Sequence, residues 1–85
     1  RIAYKIHKDL NDKGIKVQRK GITNDRGQEV IEIKDTSLYV LIGMDRNEPE
    51  ISVGSKDGCY EKYFYDNRID LLYAEVRDII ELEEI

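Results

Sequence analysis

The sequence predicts an α+β domain with an N-terminal helix, an antiparallel sheet of four to five strands and a C-terminal helix, both helices on one face of the sheet. Apolar residues recur at helical spacing at both ends of the chain, whereas the middle alternates in polarity or runs continuously apolar. Turn sequences rich in Gly, Asn and Asp divide that middle segment into short pieces. The 85 residues, 40% of them hydrophobic, suffice for one core, so residues 1–85 are predicted to form a single domain.

The first helix is predicted from an apolar stripe near the start of the chain. Ile2, Ile6 and Leu10 recur every four residues, and Ala3 lies beside them. Gly14 follows, and glycine readily adopts the left-handed conformation that ends a helix. The helix is therefore expected to end just before Gly14.

A β-hairpin is predicted after this helix. Residues 15–18 alternate between apolar and polar side chains and form the first strand, which Gly21 is expected to bend. The stretch at 24–27 reads Asn-Asp-Arg-Gly, a turn sequence with glycine where positive φ is needed. Residues 30–34 alternate again and give the second strand.

The centre of the chain predicts the innermost strand of the sheet. Residues 38–44 contain no charged position, so this strand is expected to be buried on both faces, with Leu41 deep in the core. A turn is predicted at 45–49 and a fourth strand at 51–54. The aromatic segment 59–65 is compatible with a fifth strand or with irregular structure.

The second helix has the clearest pattern in the chain. Its apolar residues fall within about 120° of arc at ~100° per residue, namely Ile69, Leu72, Tyr73, Val76, Ile79 and Ile80. Asn67 is predicted to cap the first turn, with Asp70 in the capping-box position. The helix should therefore begin just after Asn67.

Charge is divided unevenly along the sequence. Residues 1–34 carry nine Lys and Arg against five Asp and Glu, whereas residues 35–85 carry five against thirteen. The surface is therefore polarised if the fold keeps the halves apart, and it is mixed if the fold brings them together.

A charged fraction of 38% predicts a soluble protein, and the apolar runs are too short for a membrane span. A lone cysteine and the lack of a signal-peptide pattern predict the cytoplasm.

The residues that usually carry catalysis are scarce. His7 has no partner nearby in sequence, and Cys59 lies outside any Cys-His pattern, so a buried structural thiol is expected there. The acidic stretch 45–50 resembles a calcium loop but has Glu50 at the position that requires glycine. The sequence therefore predicts a protein that is not an enzyme and has no catalytic residue, cofactor or metal site.

The aromatic segment is the first candidate for partner binding. Tyrosine gives a large contact area and is enriched at interfaces. If the segment is a strand, Tyr63 and Tyr65 face one side while Tyr60 and Phe64 face the other. The three tyrosines Tyr60, Tyr63 and Tyr65 are predicted to contact a partner, the alternative being that they cover the two faces of the sheet.

The outer flank of the second helix is the other candidate. Leu71 and Leu82 lie outside the apolar arc, on a flank shared with Glu75 and Asp78. This pattern favours contact with a basic, apolar partner, the alternative being an ordinary solvated surface. Reversing Glu75 and Asp78 to Lys is expected to weaken binding without changing stability.

These features predict a non-catalytic protein-binding domain that acts through an acidic surface on a protein partner with a basic surface. In size and charge the chain is similar to small acidic phage inhibitors that mimic nucleic-acid charge, including anti-CRISPR proteins. In the order of its elements it is similar to secretion chaperones, which implies an adaptor or chaperone role.

The alternative function is a nucleic-acid-binding module that uses the basic N-terminal helix and first hairpin. The order of elements resembles the double-stranded RNA-binding domain. That family carries basic residues where this chain has Asn67-Arg68-Ile69-Asp70, and the pI of about 5.0 is low for such a protein.

Overall fold

The structure, a computed structural model, describes residues 2–83. Its elements in chain order are helix α1 (Ile2–Asp12), strands β1 (Val17–Ile22), β2 (Glu29–Ile33), β3 (Leu38–Asp45), β4 (Glu48–Ser55) and β5 (Glu61–Phe64), a 3₁₀ turn (Asp66–Arg68) and helix α2 (Ile69–Glu83). The strands pair antiparallel in the order β1-β2-β3-β4-β5, so each lies beside its neighbour in sequence. The predicted α+β fold is confirmed.

The core forms between the two helices and one face of the sheet. Helix α1 buries Ala3, Ile6 and Leu10, whereas α2 buries Leu72, Tyr73 and Val76. The strands contribute alternate residues to the same cluster, namely Ile31, Ile33, Leu38, Val40, Ile42, Ile51 and Val53. Both predicted apolar stripes therefore pack on the same face of the sheet, and the other face is left uncovered by helices.

Strand β3 is central in the sheet, but only one of its faces is covered. Leu38, Val40 and Ile42 face the helices and are buried. Leu41 is only half-buried on the open face, so the prediction of a deep core position for it is wrong. Tyr39 shields part of this face, because its ring lies over Gly54, where an added Cβ would be 3.0 Å from the ring.

The turns differ in detail from the sequence-based expectation. Arg46 and Asn47 both have positive φ, at 51° and 69°. This pair is the two-residue turn of a tight hairpin, whose backbone twist matches that of the flanking strands. The predicted turn at 45–49 is therefore too long, because strand pairing continues to Asp45 and Glu48.

The sheet edge at β1 bends as predicted. Pairing with β2 shifts register between Arg19 and Gly21, and Gly21 has a φ of 74°. Such a bulge adds one residue to the strand and increases its local twist. The glycine is needed because few other residues accept this conformation without strain.

The start of α2 contradicts the predicted cap. Asn67 lies inside the 3₁₀ turn that precedes the helix, where it cannot cap the first turn of α2. Asp70 instead accepts a hydrogen bond from Arg68 Nε at 3.2 Å. The helix begins at Ile69, because the 3₁₀ turn rather than a side-chain cap leads the chain into it.

Cys59 also differs from its prediction. The thiol is free and exposed in the loop before β5 rather than buried. Its backbone N–H donates to Asp57 Oδ1 at 3.0 Å, and Asp57 also accepts from Ser55 Oγ at 2.6 Å. The loop geometry is therefore maintained by Asp57, and it turns the cysteine side chain outward.

Candidate protein-binding surface

Strand β5 places the aromatic segment at one edge of the sheet. Residues 61–64 form a strand that pairs with β4, with Ser52 opposite Tyr63 and Ile51 opposite Phe64. The alternation therefore applies as expected. Phe64 packs against the core, whereas Tyr63 and Tyr65 are 59% and 81% exposed.

Tyr60 lies on the core side and connects β5 to α2. It packs against the core and donates a hydrogen bond from Oη to Glu75 Oε2 at 2.7 Å. Burial raises the pKa of Tyr60, and the neighbouring Glu75 carboxylate raises it further. Lys62 Nζ lies 3.7 Å from the other oxygen of Glu75. These contacts hold the edge strand against the helix.

This arrangement changes the expected role of Glu75. The sequence predicts that Glu75 can be reversed to Lys without loss of stability, but a lysine there would remove the acceptor of Tyr60 Oη. For Glu75 we therefore expect a loss of stability on reversal to Lys. Asp78 is exposed and has no hydrogen bond or ion pair within residues 2–83, so the same reasoning still applies to it.

A groove of about 320 Å³ separates β5 from the outer flank of α2. It is lined by Lys62, Tyr63, Phe64, Tyr65, Arg68, Leu71, Ala74, Glu75 and Asp78. The structure thus brings two of the three predicted tyrosines, Tyr63 and Tyr65, together with Leu71 and Asp78. Leu82 is 70% exposed near the end of α2 and does not line the groove.

A second groove, of about 350 Å³, opens on the other side of the same aromatic strand. It is lined by Asp45, Glu48, Pro49, Glu50, Ile51, Tyr63, Phe64, Tyr65 and Asp66. Four of these residues are acidic, and sequence reasoning did not assign them to the site. For three of them the signal was the acidic stretch 45–50, but only the pairing of β4 with β5 shows that this stretch lies beside the tyrosines.

The two grooves share the lining residues Tyr63, Phe64 and Tyr65, and together they are called here the acidic–aromatic surface. It consists of the apolar residues Tyr63, Tyr65 and Leu71 and the carboxylates of Asp45, Glu48, Glu50, Asp66 and Asp78. The ion pairs within residues 2–83 involve none of these five carboxylates. These carboxylates therefore lie outside ion pairs within the described residues, although Arg26 lines a cleft with Asp45 and Glu50, and Lys62 and Arg68 line the groove that contains Asp78.

The basic half of the chain lies elsewhere and is partly neutralised. Because the strands follow sequence order, α1, β1 and β2 occupy one side of the sheet, and the acidic–aromatic surface lies at the opposite edge. On the basic side, three ion pairs connect Lys5 with Asp9, Lys8 with Asp12, and Arg19 with Glu29. The strands of the two halves therefore lie toward opposite edges of the sheet, but the halves meet where Arg26 lines a cleft with Asp45 and Glu50 and where Lys16 and Lys34 line a cleft with Asp35 and Glu83.

Within residues 2–83, no three His, Cys, Asp or Glu side chains come together in a way that could hold a metal ion. His7 is half-buried on α1. In the same part of the chain, neither helix has the length and hydropathy to cross a membrane. Comparison of the chain with protein-family models, curated proteins and solved structures finds no match.

Proposed function

We propose that this chain is a non-catalytic protein-binding domain that contacts a partner with a basic surface through its acidic–aromatic surface. One observation carries the proposal: five unpaired carboxylates surround two exposed tyrosines and an exposed leucine. Aromatic side chains supply contact area at low entropic cost, and charge complementarity selects the partner and speeds its approach.

Two modes of action follow from the same surface. An inhibitor that mimics nucleic-acid charge would compete with nucleic acid for the basic surface of its partner. An adaptor or chaperone would bind the partner without displacing nucleic acid. A competition titration with a labelled duplex therefore separates the two modes once a partner is purified.

The proposed compartment is the cytoplasm, where the free Cys59 would remain reduced.

The proposal is tested by reversing charge on the acidic–aromatic surface. Proteins recovered with the immobilised chain from its native host are compared between the original chain and an Asp66→Lys/Asp78→Lys variant. Both residues are exposed and unpaired within residues 2–83, so stability should change by no more than about 0.5 kcal/mol per substitution. A specific partner should be lost from the variant, and its binding to the original chain should weaken as salt is raised.

A matched control reverses charge on the opposite side of the molecule. Lys16→Glu/Lys20→Glu alters two exposed lysines at the β1 edge and should leave the partner bound. The opposite pattern, loss with the lysine variant and retention with the aspartate variant, would move the site to the basic half. The nucleic-acid-binding alternative would then be the better explanation.

A further inference from the structure

Strand β5 has an open backbone edge beside the acidic–aromatic surface. Ser55 N–H donates to the Tyr60 carbonyl at 3.0 Å, which fixes the alternation of the antiparallel ladder. Lys62 and Phe64 therefore point their backbone groups toward β4, whereas Glu61 and Tyr63 point theirs away from the sheet. Within residues 2–83, the N–H and C=O groups of Glu61 and Tyr63 have no backbone partner.

The other edge of the sheet is protected against strand pairing. Strand β1 contains the bulge at Gly21, and basic side chains at Arg19 and Lys20 flank it. Bulges and edge lysines are the usual means by which proteins block the addition of another strand. Strand β5 has no bulge, since its register with β4 is continuous from Glu61 to Phe64, and its one lysine, Lys62, lies on the helix side of the sheet, 3.7 Å from Glu75. The two edges therefore differ, and β5 is the one available for pairing.

We propose that a short, extended, basic peptide segment of the partner adds to the sheet as a sixth strand beside β5. The inference rests on the proposed function and specifies how the partner is bound. In such strand addition, backbone hydrogen bonds supply affinity and alternate side chains supply specificity. The four free backbone groups of Glu61 and Tyr63 match a segment of only a few residues.

The side chains beside β5 determine which residue types the added strand should carry on each of its faces. Side chains on the open face of the sheet would meet Tyr63 and Tyr65, with the carboxylates of Glu50 and Asp66 nearby. Side chains on the other face would enter the groove that contains Leu71 and Ala74. Lys and Arg stack on aromatic rings and pair with carboxylates, so they fit the open face. Alternating basic and apolar residues would satisfy both faces.

The probe for this inference is a capped nonapeptide that alternates Lys and Val. It is titrated into the ¹⁵N-labelled chain, and amide shifts are followed by NMR. Shift changes should concentrate in residues 61–65 and 71–78. A peptide that alternates Glu and Val is the charge control, and it should bind at least about tenfold more weakly, a factor equivalent to 1.4 kcal/mol.

Backbone pairing is tested without altering the protein. In an extended strand, alternate residues direct their amides to the same edge, so one set of peptide amides would face β5 and the other would face solvent. Two versions of the probe carry N-methyl groups on all Lys or on all Val amides. One version should lose at least about tenfold in affinity, while the other should bind like the parent peptide.

A protein variant provides the complementary test. Glu61→Pro removes an outward-pointing N–H, and proline is tolerated in edge strands at such positions. This variant should weaken binding of the probe about as strongly as the N-methylation that blocks the peptide amides facing β5. The control Glu61→Gln removes the same charge but keeps the N–H, and it should change affinity less than about threefold. A thermal melt checks that both variants fold.

The outcomes separate this inference from the proposed function. If both N-methylated peptides bind like the parent while Asp66→Lys/Asp78→Lys abolishes binding, strand addition is wrong and the acidic–aromatic surface stands. Shift changes at β1 would place the added strand at the other edge and overturn the inference. Binding that responds to neither the charge reversals nor the backbone changes would contradict both.

Discussion

At the scale of single residues, Tyr73 links the two helices. Its Oη donates to Asp9 Oδ2 at 2.6 Å, and Lys5 Nζ lies 3.2 Å from the same oxygen. Tyr73→Phe should lower the free energy of unfolding by about 1.5 kcal/mol, the lower end for a hydrogen bond to a charged group, because Asp9 is partly exposed. Urea denaturation measures this change. Tyr4→Phe, at an exposed position on α1, is the control, and an equal loss there would contradict the assignment.

The same contact predicts a pH dependence. The hydrogen bond from Tyr73 is the main reason that the pKa of Asp9 is lowered, and Lys5 adds to it. A carboxyl with a lowered folded-state pKa contributes stability above its ordinary pKa of about 3.9 and loses it as the pH falls through the folded-state value. The stability difference between the original chain and Asp9→Asn should therefore be present at pH 6 and shrink as the pH is lowered below about 3.9. A difference that persists unchanged in acid would contradict this account.

Residue contacts were the least predictable feature from sequence. The Tyr60–Glu75 hydrogen bond joins residues 15 positions apart on different elements, and only the packing of β5 against α2 brings them together. Glu75 is therefore structural as well as acidic. The exposure of Cys59 likewise depends on a local hydrogen-bonded loop that composition does not reveal.

At the scale of elements, the two faces of β3 differ in how deeply their leucines are buried. Leu38 is 1% exposed beneath the helices, whereas Leu41 is half-buried on the open face. Leu38→Ala should destabilise the fold by roughly 2–5 kcal/mol. Leu41→Ala should lower the free energy of unfolding by clearly less, about 1–1.5 kcal/mol, because the half-buried Leu41 side chain removes less apolar surface from water on folding. Parallel thermal and urea unfolding measures both, and equal losses would show that another layer covers the open face.

The sequence was a good guide to elements and a weaker guide to their ends. Helical periodicity located both helices because each buries a single stripe, and alternation located the strands. The turn at 45–49 was predicted too long, because a tight turn at Arg46–Asn47 needs positive φ at an arginine, which rarely adopts it. The burial of Leu41 was overestimated because a continuous apolar run predicts a strand covered on both faces, whereas both helices, as predicted, cover only one.

At the scale of the whole molecule, the strand order determines where the basic and acidic segments of the chain lie in the fold. Because neighbours in sequence are neighbours in the sheet, β1 and β2 of the basic half lie toward one edge, and β4 and β5 of the acidic half lie toward the other. The sequence left this outcome open, since a crossover connection would have mixed the halves. The position of the acidic stretch 45–50 beside Tyr65 likewise required the pairing of β4 with β5.

This polarity leads to a final prediction about nucleic acid. The basic side includes a cleft lined in part by Lys16, Lys34 and Arg77, but Asp35 and Glu83 line the same cleft. Phosphate binding needs several unpaired cations, and it weakens steeply as salt is raised. A labelled 20-bp duplex should therefore show no stable complex with the chain at about 0.15 M salt, the ionic strength at which the Debye length is about 8 Å.

Fluorescence anisotropy measures this binding, with a Lys16→Glu/Lys34→Glu variant as the matched control. Weak binding at low salt, if present, should be lost from the variant, because these lysines are the exposed cations of the cleft. A complex that survives 0.2 M salt and disappears in the variant would contradict the prediction. The basic edge would then be a nucleic-acid site, and the acidic–aromatic surface would no longer be needed to explain partner binding.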